Sequence, residues 1–153
     1  LGKREERRAE NELRDALVKA ALEKNEFEVP PALVERAIDA MIEGAAERFA
    51  RQGIDIRQLG LDAARMRADL REQALLQVRG RLLLESIADA EKVEASDEDL
   101  QAEITRIAGE LGLPLAQAQQ QMRSAQARAA LMTKIREDKA LAVLSSAATI
   151  QEA

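Results

Sequence analysis

Carboxylates are the side chains clustered closely enough in this sequence to suggest reactive chemistry: Asp97, Glu98 and Asp99 in one run, Glu23, Glu26 and Glu28 in another. Paired carboxylates can serve as general acid and general base when their surroundings push their pKa values apart. The first run, however, follows Ser96 at a helix start, where acidic residues complement the helix dipole, and the second lies on exposed faces. Capping and solubility account for both. The 153 residues include no Cys and no His, which removes a thiolate nucleophile, an imidazole base and the common zinc sites. Gly109 and Gly112 flank Glu110-Leu111 without the strand or the Lys-Ser/Thr pair of a phosphate loop. Arg79-Gly80-Arg81 could meet an acidic partner, yet a glycine inside a helix, at about 1 kcal/mol relative to Ala, more simply marks a helix crossing. No catalytic residue, metal or cofactor is expected.

If chemistry is absent, the apolar residues carry what function there is. They make up 46% of the chain, with two Phe and no Trp or Tyr, while charged residues make up 33%. Rich in Ala, Leu, Glu and Arg, this is the profile of long helices bathed in solvent, and it predicts an extended all-α shape. The net charge of −5, from 23 basic and 28 acidic residues spread along the chain, offers no field of one sign for nucleic acid. No apolar run approaches a membrane span and the first eight residues are largely charged, so the chain reads as soluble, with no membrane partner. It opens on Leu1 rather than Met, inside a helical pattern, and is expected to be a piece of a longer protein.

The elements that hold these residues are organised around Asn25-Glu26-Phe27-Glu28-Val29-Pro30-Pro31. Pro30 forces Val29 into extended backbone and gives no N–H, so a first helix ends here; Pro is favoured at a first helical position, so a second begins at once. Phe27 and Val29 alternate with Glu26 and Glu28 as a segment with one buried face would. In the first helix Leu13, Ala16, Leu17 and Ala20 mark one face, and the charges Glu5, Glu6, Arg7, Arg8 and Glu10 the solvated one. The second helix, about 31–52, carries Val34, Ala37, Ile38, Met41, Ile42, Ala45 and Phe49, with Gly53 placed at its C-terminus. Between Gly53 and Asp62 the loop is unusually apolar (Ile54, Ile56, Leu59, Leu61), which predicts side chains tucked onto neighbours. Asp62 caps a long helix over about 63–92, a rod of roughly 45 Å. Its second half is apolar nearly all round, with Leu75, Leu76, Val78, Leu82, Leu83, Leu84, Ile87 and Ala88, so neighbours should cover it on several sides. Ser96 to Asp99 then form a capping box for a helix that Gly112 ends. Pro114 precedes a short helix, about 117–122, and a last helix spans about 124–144. The tail 145–153 reads as extended.

Three stretches taken in order carry a resemblance: residues 25–36, opening Asn25-Glu26-Phe27-Glu28-Val29-Pro30; residues 79–88, Arg79-Gly80-Arg81-Leu82-Leu83-Leu84-Glu85-Ser86-Ile87-Ala88; and Val93-Glu94-Ala95-Ser96-Asp97-Glu98. In order and spacing they resemble the C-terminal domain of bacterial trigger factor, the ribosome-associated chaperone, over nearly the whole chain. The resemblance implies an elongated all-α module related to the peptide-binding regions of parvulin-linked chaperones. In that scheme residues 1–27 are a back or linker helix, 28–92 a first arm and its return helix, 93–144 a second arm, and 145–153 a tail. It further implies a cytoplasmic, ATP-independent cradle for unfolded or nascent polypeptides and dimerisation of the free protein. Ribosome binding and prolyl isomerisation belong to family domains not found in these residues.

The residues expected to face a client are Met41, Ile42 and Phe49 on the first arm, Leu59, Leu61 and Met66 near its tip, and Met122, Leu131 and Met132 on the second. Methionine suits such surfaces because its flexible thioether adapts to varied partners. The competing expectation is a structural adaptor or dimerisation module with one fixed protein partner.

Overall fold

The computed structural model describes residues 2–152. Among them are six α-helices and one short 3-10 turn, with no strand: α1 Gly2–Lys24, α2 Pro31–Arg51, the 3-10 turn Ile56–Leu59, α3 Ala63–Ala90, α4 Asp97–Leu111, α5 Leu115–Gln121 and α6 Ala125–Glu152. The all-α expectation holds, and most ends fall where the local chemistry places them. The Asn25 side chain donates to the carbonyl of Ala21 at 2.8 Å, closing α1, and Pro31 opens α2 at its first turn. The Asp62 carboxylate accepts from the backbone N–H groups of Ala64 (2.9 Å) and Arg65 (3.2 Å), and the Ser124 hydroxyl accepts from that of Ala127. These bonds satisfy donors that a helix start leaves without a partner.

Three helices end in one motif, a left-handed residue with two backward hydrogen bonds. After α2, Gly53 donates to Ala50 and Ile54 to Phe49; after α4, Gly112 donates to Gly109 and Leu113 to Ala108. After α3 the left-handed residue is Lys92, with φ of 52°, and Val93 donates to Ala88 at 2.8 Å. The motif commonly brings together the two apolar side chains it links. Here Val93 packs against the buried cluster that holds Ala88.

The tail departs from expectation. Instead of lying extended from Ser145, α6 continues to Glu152. The stretch Ser145-Ser146-Ala147-Ala148 has neither Gly nor Pro, so nothing local stops the helix. The first helix also buries a different stripe: Leu13 stays 60% exposed, whereas Leu22 is buried and Val18 packs on a buried cluster.

The chain divides into two compact units, one comprising residues up to Val18 and from Leu83 onward, the other Lys19–Leu82. In the 19–82 unit, Val34, Ile38 and Ala74 form the buried cluster, with Val29, Met41, Ile42 and Leu70 packed against it. Ion pairs join the same two helices: Arg67 to Glu35 and to Asp39, and Arg71 to Glu35, each at 2.6 Å. In the other unit, Leu100, Ile104, Ala108, Ala118, Leu131 and Ile135 form one cluster, and Leu84, Ala88 and Ala140 another.

The start of α4 combines capping with ion pairing. The Ser96 hydroxyl accepts from the Asp99 N–H at 3.1 Å, and the Asp99 carboxylate accepts from the Ser96 N–H at 2.8 Å and from Lys139 at 2.7 Å. Lys139 first, then the Ser96 donors, hold the Asp99 carboxyl down at about 2. One turn on, Glu103 is held at about 2, chiefly by Arg106 and also by Lys134. A carboxylate whose folded pKa is depressed stabilises the fold above its unfolded pKa, and that contribution fades as pH falls toward the folded value. Unfolding followed by far-UV circular dichroism should therefore show stability declining from the ordinary carboxyl values, 3.8 and 4.5, down to about 2. Asp99→Asn should flatten this acid limb, and Ser96→Ala should cost about 1 kcal/mol at neutral pH.

Candidate functional site

In the first of the two carboxylate runs, Asp97 and Asp99 have structural duties. Asp97 pairs with Arg128 at 3.3 Å, and Asp99 closes the cap just described. Among the described residues no group of three or more acidic side chains is placed to hold a metal ion. Gly80 is buried within α3, in keeping with a packing role, and the neighbouring Arg79 guanidinium lies 5.8 Å from the centre of the Phe27 ring. That cation–ring contact uses the alternating Phe27-Val29 stretch to close the α1–α2 corner onto α3.

A cleft of about 390 Å³ in the unit containing α4 and α6 is lined by Asp99, Glu103, Arg106, Ile135, Asp138 and Lys139. Its charges are already spent on one another. Lys139 bonds Asp99, Arg106 bonds Glu103, and Lys134 bonds both Glu103 (3.1 Å) and Asp138 (2.8 Å). Lys139–Asp99 and Lys134–Glu103 cross between α4 and α6, while Arg106–Glu103 and Lys134–Asp138 lie within one helix; pairs this open to water each add little by themselves.

The second hollow is of another kind. In the 19–82 unit an open groove of about 720 Å³ is lined by Ile42, Ala46, Glu47, Ala50, Gly53, Ile54, Asp55 and Ile56. Ile42, Ala46 and Ala50 recur at i, i+4 and i+8 along α2, which puts them on one face of the helix. Gly53, at φ of 77°, turns the chain so that Ile54 and Ile56 form the opposite wall. Around this groove Phe49, Ile54, Leu59 and Leu61 are all exposed, the last two to 48% and 52%. The apolar loop therefore does not tuck its side chains away; Leu59 and Leu61 stand out in solvent at the turn.

Of the nine residues singled out from the sequence, Ile42 lines this groove, and Phe49, Leu59 and Leu61 are exposed in and after the same helix. Met41 and Met66 are half-buried, and Met41 packs on the Ile38 cluster. On the other unit Met122 and Met132 are half-buried against the α4–α6 cluster. Leu131 lies deeper than the other eight. It is 7% exposed and part of that cluster, because the face of α6 that carries it and Ile135 is the face turned onto α4.

Other exposed apolar residues were not singled out. Leu75 and Leu76 on α3, a helix expected to be covered on several sides, are 38% and 46% exposed, and Leu111 and Leu115 flank the Gly112–Pro114 turn, likewise exposed. The signal that could have found the last two was the turn itself, since residues beside a Gly–x–Pro break sit at a surface corner. No helix of the described residues is long and apolar enough to cross a membrane.

Comparison with known proteins gives a consistent result. A family model described as the bacterial trigger factor protein C-terminus matches residues 1–146. The chain is 78% identical over 152 residues to a trigger factor of Anaeromyxobacter dehalogenans, covering 99% of this chain and 35% of that protein. It is 77% identical over 153 residues to one of Anaeromyxobacter sp. strain Fw109-5, covering 100% and 36%, and 39% identical over 142 residues to one of Geobacter sp. strain M21, covering 92% and 33%. The chain thus spans about a third of the length of these relatives. A solved structure of trigger factor domains from Thermotoga maritima shares the fold, with a TM-score of 0.58 at 22% identity, over 87% of this chain and 81% of that one.

Burial separates the selected residues by what their loss should do. Leu131→Ala should lower the stability of the fold by about 2–5 kcal/mol, as core leucine truncations do. Phe49→Ser should change it by no more than about 0.5 kcal/mol, as exposed substitutions do. Denaturant unfolding of the two variants, followed by helical signal, checks the pair.

Proposed function

Since the chain belongs to the bacterial trigger factor C-terminus family, we propose that it is an ATP-independent chaperone segment that holds unfolded or nascent polypeptides on dispersed apolar patches. The observation that carries this reading is the groove of the 19–82 unit, walled by Ile42, Ala46, Ala50, Ile54 and Ile56, with Phe49, Leu59 and Leu61 exposed beside it. An apolar surface that a folded chain leaves open, rimmed here by Glu47 and Asp55, is characteristic of a binding site. Leu111 and Leu115 on the other unit supply a second, smaller patch. Each patch alone binds weakly. A flexible client that touches several gains from effective concentration, with no single contact tight enough to trap it.

Holding a polypeptide in this way requires no covalent step, and the capped and paired carboxylates leave no group assigned to one. The setting proposed is the cytoplasm. Contact with the ribosome would fall to parts of the relatives outside the matched length.

The test is suppression of aggregation, measured by light scattering, of a chemically unfolded client diluted into buffer. The chain should suppress scattering near stoichiometric amounts. The triple substitution Phe49→Ser, Leu59→Ser, Leu61→Ser should raise the amount required about tenfold, equivalent to about 1.4 kcal/mol of client affinity, with helical signal unchanged. Unaltered suppression by that variant would remove these three exposed side chains from the mechanism. Tight one-to-one binding to a single folded protein, without suppression, would favour an adaptor with one fixed partner.

A further inference from the structure

We infer that the solvent face of α3 over residues 72–79 is a self-complementary contact through which two copies of this chain pair, antiparallel, about the midpoint between Leu75 and Leu76. Both leucines stand in solvent. Glu72, Leu75, Leu76 and Arg79 recur at i, i+3, i+4 and i+7, so they share one helix face about two turns long. Ala74, buried in the cluster with Val34 and Ile38, marks the opposite side of the helix. The face shares no residue with the groove lined by Ile42 and Ile54, and its pairing does not rest on that groove holding a client.

Among the described residues, neither of the charges that bracket the leucines makes an ion pair. Arg67 and Arg71, earlier on the same helix, are by contrast held by Glu35 and Asp39 of α2. Arg79 is half-buried, its guanidinium lies against the Phe27 ring, and its Nε is buried without an acceptor. A cation so placed has already lost part of its water, and an acid brought to it gains more than one meeting a freely solvated side chain. The ring also holds the arginine in place, so little rotamer freedom is lost when an acid arrives.

The spacing along α3 supplies that acid. Glu72 stands three residues before Leu75, and Arg79 three residues after Leu76. With a second α3 laid antiparallel across the first and the two-fold axis between the leucines, Glu72 of each copy meets Arg79 of the other, and the leucines meet across the axis. This is the self-complementarity an isologous interface requires; a parallel arrangement would set Glu72 against Glu72 and Arg79 against Arg79. Helices that cross at an inclined angle touch over the turns nearest the crossing, which confines the contact to residues 72–79. An interface of this extent belongs with weak, reversible associations, and it covers two leucines that the fold leaves open.

The test is sedimentation velocity of the whole chain over a concentration series, combined with charge reversals. Glu72→Arg and Arg79→Glu should each raise the dissociation constant of the pair about tenfold or more, since either one sets like charges against each other at both ends of the interface. An equimolar mixture of these two variants should associate again, because every contact between them is then between opposite charges. The chain carrying both reversals should pair within about threefold of the unaltered one, and Leu75→Ser with Leu76→Ser should abolish pairing with helical signal unchanged. Recovery in the mixture guards against variants that have merely unfolded. A chain that stays monomeric at every concentration, or a dimer indifferent to all of these changes, would overturn the proposal. So would single reversals that weaken pairing without recovery in the mixture, since the two charges would then not face each other across the copies.

Discussion

Alanine at the helix crossings is the constraint on which both units depend. Ala74 and Ala140 are wholly buried, Ala88 almost so, and Ala108 and Ala118 lie in the cluster centred on Leu100 and Ile104. With neither phenylalanine buried, these cores lack the large side chains that fill space between widely spaced helices. They are built instead from aliphatic residues, Ile38 and Leu100 the most deeply buried of the large ones, which meet buried alanines. Dispersion energy falls away over fractions of an ångström, so close approach at a small residue substitutes for the bulk of a large one. The buried clusters are small, six residues in the one around Leu100 and three in each of the others.

Small cores have two consequences. The helices need lateral support, and ion pairs supply it: Arg67 and Arg71 across α2 and α3, Lys134 and Lys139 across α4 and α6, with no buried charge or polar residue among the described side chains. These pairs fix the rotation of one helix against another more than they add stability, because each remains partly in water. The second consequence is that apolar residues outnumber the positions where neighbours can cover them. Phe49, Ile54, Leu59 and Leu61 collect at the α2–α3 turn and Leu75 and Leu76 sit mid-helix, all exposed. For a protein whose proposed work is to touch unfolded chains, small cores and open apolar side chains are two aspects of one composition.

Rigidity is graded along the same lines. Where Ile38 and Ala74 meet, α2 is fixed. From Glu47 to Ile54 the chain is exposed, and the turn is held by the backbone bonds that end α2 on one side and by the Asp62 carboxylate on the other.

The sequence by itself determined most of the helix ends, that of α6 excepted, and which family they resemble. Pro30-Pro31, the Ser96–Asp99 box, Asp62 and Gly112 act on the few residues beside them, through a missing N–H, a side-chain acceptor or a left-handed backbone, and their effects are local. Only the tertiary structure decided which apolar residues face inward. Leu13 and Leu22 are alike in chemistry and both lie in α1, yet one is exposed and the other buried, because the buried stripe is set by the helix that packs against it. For the same reason Leu131 joins a core while Leu59 does not, and Leu75 and Leu76, on a helix apolar almost all round, stay uncovered. Periodicity tells which faces a helix could bury; which face is buried depends on neighbours distant in sequence, and burial decides what remains at the surface to bind.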